Sequence, residues 1–152
     1  MAIKQFNIRV YGILINKNNQ VLVTDELIKG NEITKFPGGG LEFGEGTIEC
    51  LKREFMEETN NAIEVIEHFY TTDFFQQSAY FLEHQIISIY YLVKPVSTFE
   101  IITKEKIFDF TEREEYEQTF RWLAVNKITE NHFTLPIDKL VAKMLMEKYS
   151  KI

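Results

Sequence analysis

Apolar and polar residues alternate along the first stretch of the chain. In residues 5–15, QFNIRVYGILI, one face carries Phe6, Ile8, Val10 and Leu14 and the other Gln5, Asn7, Arg9 and Tyr11, the period of two that marks a strand. KNNQ at 17–20 is a turn, and residues 21–24 form a short strand paired back as a hairpin. Residues 25–35 read as a loop, which runs through Phe36 and Pro37 into a glycine turn. Over 47–59 the period becomes helical, with Ile48, Leu51 and Phe55 as the apolar stripe and Thr47 as the N-cap. Residues 62–75 read as an irregular strand. Residues 79–93 read as a longer strand, apolar on both faces and therefore central in a sheet, ended by Pro95. One or two short strands are expected within 99–110. TEREEYEQ at 111–118 is an acidic loop or strand entry, and 120–125 reads as a strand. A second helix covers 135–149, with Ile137, Leu140, Val141, Met144 and Leu145 on its apolar side. No repeat, low-complexity tract or linker interrupts the chain, so a single domain over residues 1–152 is expected.

The 47–59 helix carries an unusual second face. With Glu54 at zero on a helical wheel, Glu57 falls near 300° and Glu58 near 40°, so the three share an arc of about 100°. Leu51, Phe55 and Ile48 lie at roughly 60°, 100° and 120°, leaving the acids on the shoulder of the apolar stripe. Arg53, at about 260°, points away from the acids and is placed to reach back to Glu45 and pin the preceding loop. Carboxylates this close repel one another unless a cation sits among them, although an acidic helix face is more often merely solvated. Here the sharp turn FPGGG at 36–40 precedes the helix and allows close backbone approach to a ligand. Hard oxygen donors suit Mg²⁺ or Mn²⁺ and argue against zinc.

Residues 39–61, GGLEFGEGTIECLKREFMEETNN, resemble the Nudix box, G-x5-E-x7-R-E-U-x-E-E-x-G-U with U bulky and apolar. Gly39, Glu45, Arg53, Glu54, Phe55, Glu57 and Glu58 match at the required spacing. The late Gly is Asn60, which also adopts the left-handed conformation that ends a helix. The final apolar residue is Asn61, with Ala62 as a partial replacement. The resemblance implies an α/β fold, the Nudix α/β/α sandwich with a central mixed sheet and the box as a loop-helix-loop. It implies hydrolysis of a nucleoside diphosphate linked to another group. It assigns metal binding to Glu54, Glu57 and Glu58, with a main-chain carbonyl at Gly38 or Gly39. Glu54 and Glu58 lead as helpers in deprotonating water, and Arg53 and Glu45 complete the catalytic set. Any of Glu112, Glu114, Glu115 and Glu117 is a candidate additional metal ligand or base, with Glu115 and Glu117 foremost; the alternative is a solvated loop.

Substrate contacts are sought at Arg9, Lys35, Gly38 and Tyr80, against the alternative that the two basic side chains are merely exposed. Relatives that cleave ADP-ribose often carry Pro about fifteen residues beyond the box, where this chain has Gln76 and Gln77. Dinucleoside-polyphosphate hydrolases often carry Tyr slightly further on; Tyr80 is near but late, on an expected strand. By elimination the expected substrate is a (deoxy)nucleoside triphosphate, cleaved to monophosphate and pyrophosphate. Dinucleoside polyphosphates and ADP-sugars remain alternatives. A non-catalytic nucleotide-sensing module is the alternative of another class, and retention of every box acid weighs against it.

A net charge of −6 disfavours nucleic-acid binding, which needs a basic footprint. Cys50 is the only cysteine, so no intrachain disulfide forms, which accords with a reducing cytoplasm. With no basic neighbour foreseen, Cys50 reads as a packing residue. No apolar run approaches membrane-spanning length, and Lys4 and Arg9 interrupt any leader-like stretch. His68, His84 and His132 lack metal-ligand spacing and read as structural, and Trp122 as core or pocket wall. Homodimerisation, common in the family, stays open for this chain.

Overall fold

The computed structural model describes residues 2–150. Its elements in order are β1 (Gln5–Leu14), β2 (Gln20–Ile28), β3 (Asn31–Lys35), β4 (Gly38–Gly40), α1 (Thr47–Thr59), β5 (Ile63–Thr71), β6 (His84–Pro95), β7 (Tyr116–Ala124) and α2 (Pro136–Tyr149). Short 3-10 helices occupy Val125–Lys127 and Glu130–His132. The class is α/β, as expected. The chain divides into two compact units. One takes in the chain up to Gly12 together with Gly38–Phe99, the other Ile13–Pro37 and the chain from Glu100 onward.

In the first unit a four-stranded sheet has the order β4-β1-β6-β5. β6 is an interior strand, as its apolar residues on both faces require. It begins at His84 rather than 79. The Ser78 hydroxyl accepts the N–H groups of Tyr80 and Phe81, and this local turn outcompetes the strand ladder. Tyr80 therefore sits on a loop and not in a strand. β5 ends at Thr71, short of residue 75, and carries the expected irregularities as register shifts at Val65/Glu67 and His68/Tyr70.

Helix α1 covers the anticipated residues and buries Cys50, Leu51 and Phe55. Phe55 packs where β1 has no side chain, since a Cβ at Gly12 would stand 2.6 Å from its ring. Ile48 is 42% exposed and is not part of this stripe; Cys50 takes the core position instead. The N-cap is Gly46, not Thr47. Gly46 donates its N–H to Glu49 Oε1 at 3.1 Å, while the Thr47 hydroxyl pairs with the Tyr91 hydroxyl at 2.7 Å and ties the helix start to β6. At the other end Asn60 takes the left-handed conformation (φ 57°) in place of glycine, and its N–H closes on the Met56 carbonyl.

In the second unit the sheet order is β3-β2-β7. The loop expected over 25–35 is in fact the end of β2, a tight turn and β3. Lys29 (φ 48°) and Gly30 (φ 83°) are both left-handed, the combination of a two-residue hairpin turn. Hydropathy hides these strands because Thr24, Asp25, Glu26, Thr34 and Lys35 are polar yet buried. They are buried in pairs: Arg121 forks onto Asp25, which also accepts the Thr34 hydroxyl and the Phe108 N–H, and Lys35 meets Glu26 at 3.1 Å. Such groups need partners because a lone buried charge is strongly destabilising. Within 99–110 no strand forms among the described residues; Lys104 donates its N–H to the Phe120 carbonyl of β7. β7 starts at Tyr116, so the acidic 111–118 segment is a loop followed by strand entry. α2 buries Ile137, Val141, Ala142 and Leu145. No helix among the described residues is long and apolar enough to cross a membrane.

Candidate active site

Two short pieces of chain in the first unit build the site. β4 lies antiparallel to β1, with Arg9, Val10 and Tyr11 opposite Gly40, Gly39 and Gly38. The glycines are there because neighbours occupy the space of their side chains. A Cβ at Gly38 (φ 151°) would lie 2.0 Å from the Val10 carbonyl oxygen, and one at Gly39 would fall 2.4–2.5 Å from the Glu54 carboxylate. Glu54 is thus seated directly against the glycine strand.

Arg53 organises the acids around it. Its Nε and Nη2 fork onto Glu45 at 3.0 and 2.7 Å, the pinning of the loop expected from the sequence. It also bonds two of the acids from which it is expected to point away. Nη1 donates to Glu54 Oε1 at 3.0 Å and to Glu57 Oε2 at 3.2 Å, and Nη2 donates to the Gly40 carbonyl at 3.2 Å. Glu57 is its i,i+4 neighbour, about 40° round the helix, so spacing alone allows that bond, while Glu54, about 100° round, is reached because the long stem covers more than one azimuth. Glu42, absent from the expected set, stands 3.7 Å from the same guanidinium.

The Arg53 hydrogen bonds and the Glu42 backbone pull the Glu45 carboxyl down from 4.5 to about 2. Arg53 is raised in turn, chiefly by its bond to Glu45. Because the folded-state value is the depressed one, the contribution of Glu45 to stability is complete above about pH 4.5 and is lost as pH falls toward 2. In EDTA, Glu45→Gln is therefore expected to melt below wild type at pH 7, with the gap narrowing between pH 4.5 and 2. A gap in melting temperature that stays constant over that range would refute the clamp.

Cys50 does have a basic neighbour: Arg53 Nη2 lies 3.7 Å from its sulfur. Burial and the adjoining Glu45 nevertheless push the thiol up to about 12, so it remains a packing residue and not a nucleophile.

A divalent cation needs hard oxygen donors, and α1 supplies three. Glu54 is nearly buried against Gly39, Oε2 of Glu58 is buried, and Glu57 is 57% exposed on the outer turn. The donor chemistry fits Mg²⁺ or Mn²⁺. The acids are not converged, however, and no three acidic, His or Cys side chains stand in metal-ligand arrangement among the described residues. Glu54 and Glu57 both lean on Arg53, so loading a cation means turning Glu57 off the guanidinium.

Other expected site residues have different surroundings. Lys35 is buried on Glu26 in the second unit rather than exposed. Glu117 accepts N–H groups from Thr111, Glu112 and Arg113 and closes its own loop. Burial pulls its carboxyl up, but these bonds prevail and its affinity for protons is lowered. Glu115 gives its main-chain carbonyl to Lys29 N–H, and the side chains of Glu112, Glu114 and Glu115 are exposed. Tyr80 is 43% exposed on its loop. The histidines have local roles. His68 bonds the Thr71 hydroxyl at 2.7 Å, His84 stacks on Phe81, and His132 Nδ1 accepts the Thr129 N–H. Tyr11 is not among the site residues expected from the sequence, yet its hydroxyl accepts from Arg9 Nε at 3.1 Å; its place two residues from Arg9 on one strand face is the signal that marks it.

The model of the NUDIX domain family matches residues 5–144. Among similar solved structures, the Escherichia coli ORF135 protein is 16% identical at TM-score 0.70, over 98% of this chain and 94% of that one. A MutT protein from Methanosarcina mazei Go1 is 18% identical at TM-score 0.65, over 98% of each chain. An ADP-ribose pyrophosphatase from Streptococcus suis is 11% identical at TM-score 0.57, over 96% of this chain and 92% of that one. At such identities the likeness is one of fold.

Proposed function

The chain belongs to the Nudix family and is a Nudix hydrolase, and from that premise we propose that it cleaves (deoxy)nucleoside triphosphates to monophosphate and pyrophosphate with Mg²⁺ or Mn²⁺. The observation that carries the reading is Glu54, seated on the glycine strand and bonded to an Arg53 that is itself fixed on Glu45. Glu54, Glu57, Glu58 and the Gly39 carbonyl would hold the cation. When bound, the cation neutralises phosphate charge and acidifies coordinated water.

The chain's own residues do the rest. Arg53 holds the box loop to the helix through Glu45 and Gly40, so that the glycine strand keeps its position as substrate enters. Its bond to Glu54 Oε1 leaves Oε2 to accept a proton from the attacking water, the role we assign to Glu54 with Glu58 as the second candidate. Phosphoryl transfer depends mostly on position and charge, and a carboxylate wedged against backbone is well suited to both. A nucleotide rather than a nucleic acid is the expected partner of a chain with net charge −6, and a reducing cytoplasm the expected setting for its single cysteine. The triphosphate choice rests on the Gln76–Gln77 segment, which lacks the proline typical of ADP-ribose cleavage.

The test is product release across nucleoside triphosphates, oxidised nucleotides, ADP-ribose, dinucleoside polyphosphates and nucleotide sugars, with and without Mg²⁺, beside Glu57→Gln. Metal-dependent pyrophosphate release from a triphosphate, abolished in the variant, is expected. Faster turnover of ADP-ribose or a dinucleoside polyphosphate would overturn the substrate choice. Mg²⁺ binding without turnover of any compound would favour a sensing module.

A further inference from the structure

β4 carries opposite charges on its two faces. Consecutive strand residues direct their side-chain positions to opposite sides. At Gly39 that position is filled by the Glu54 carboxylate; at Gly40 a Cβ would stand 3.4 Å from Arg9 Nη1. One residue of backbone therefore separates the acid of the catalytic helix from a guanidinium. β4 is also the last strand in its sheet, paired to β1 alone. A chain of phosphates crossing this edge meets the carboxylate helix on one face and Arg9 on the other.

Arg9 is oriented for such a contact. Its Nε is anchored on the Tyr11 hydroxyl at 3.1 Å, and its guanidinium carbon lies 5.8 Å from the Tyr11 ring centre. That ring in turn packs on Tyr90, with centres 5.2 Å apart. Anchoring one edge of the fork and resting it on an aromatic ring fixes its plane, and a fixed planar fork is the usual device for gripping phosphate oxygens. The other basic side chains of this unit have different employment. Arg53 serves Glu45, Glu54, Glu57 and Gly40. Lys4 pairs with Glu83 and Lys94 with Glu64. Lys52 lies about 160° around α1 from Glu54. A polyphosphate approaching Glu42, Glu45, Glu54, Glu57 and Glu58 needs positive charge beyond that of a cation held among the acids.

We infer that Arg9, oriented by Tyr11, binds a phosphate of the substrate's polyphosphate chain where it crosses the glycine edge strand. The inference rests on the hydrolase reading for its substrate, but its test stands apart. Binding of inorganic tripolyphosphate in Mg²⁺ is measured by calorimetry for wild type, Arg9→Gln and Arg9→Lys, beside steady-state kinetics on ATP, GTP, CTP and UTP. Arg9→Gln is expected to weaken tripolyphosphate binding about ten- to hundredfold and to raise KM similarly for every base, with kcat nearly unchanged. Arg9→Lys keeps the charge without the fork and falls between, and Mg²⁺ affinity and melting temperature stay near wild type in both. Unchanged tripolyphosphate binding in Arg9→Gln overturns the inference. So does a KM effect confined to one base, which would make Arg9 a base reader, or a fall in melting temperature that accounts for the loss. Arg9-dependent tripolyphosphate binding by a wild type that hydrolyses no nucleotide would sustain the inference and refute the triphosphatase reading.

Discussion

Glu54→Gln is expected to lower kcat/KM by about a thousandfold while leaving the fold intact, the range general-base and charge-stabilising carboxylates ordinarily supply. Glutamine keeps the size of the side chain and one acceptor oxygen, so the contact with Gly39 survives and Arg53 keeps a partner at Nη1. What is lost is the negative charge and the capacity to take a proton. The two roles assigned to Glu54 separate in a metal titration. If it acts only as a ligand, activity recovers toward wild type as Mg²⁺ or Mn²⁺ is raised to saturation. If it also takes the proton, a kcat deficit of about a hundredfold or more remains at saturating metal. The expected result is the second. Melting temperatures of the two proteins in EDTA should agree within a few degrees; a large drop would mean that the variant reports on folding and not on chemistry.

Glu54 stands out in the amino-acid sequence alone because its signal is local. Gly39, Glu45, Arg53, Glu54, Glu57 and Glu58 lie within one loop and one helix, so sequence spacing converts almost directly into geometry. The C-terminal end of that helix is legible for the same reason, down to the left-handed Asn60. Periodicity fails where tertiary partners decide. Asp25 and Glu26 look like loop residues until Arg121, about a hundred positions away, and Lys35 neutralise them inside a sheet. Ile48 fits the apolar stripe by periodicity, but a wheel does not reveal how wide a face the sheet covers, and it remains exposed. The start of β6 escapes a reading by hydropathy because the Ser78 turn is a hydrogen-bond effect that hydropathy does not carry. The reach of Arg53 to Glu57, by contrast, is an i,i+4 contact that helical spacing itself allows.

The glycines offer a way to reach Glu54 without touching it. Gly39→Ala introduces a methyl group 2.4–2.5 Å from the Glu54 carboxylate, far inside contact distance, so one of the two must yield. The strand backbone is held by its pairing to β1, whereas the carboxylate is the far end of a flexible side chain, so the carboxylate moves. The expected outcome is a protein that melts near wild type yet loses activity about a hundredfold, because an ångström of misplacement at a reacting group is enough for that. Gly38→Ala should behave oppositely. Its methyl group meets the Val10 carbonyl at 2.0 Å, a backbone atom with nowhere to go, at a φ of 151° that L residues rarely adopt, so stability falls along with activity. A double-mutant cycle completes the argument. If Gly39→Ala acts through Glu54, adding it to Glu54→Gln lowers kcat/KM by much less than the product of the two single effects. Full multiplicativity would mean that Gly39 serves catalysis by a route independent of Glu54, such as its own carbonyl, and would remove the contact between glycine strand and carboxylate from the account of how this site works.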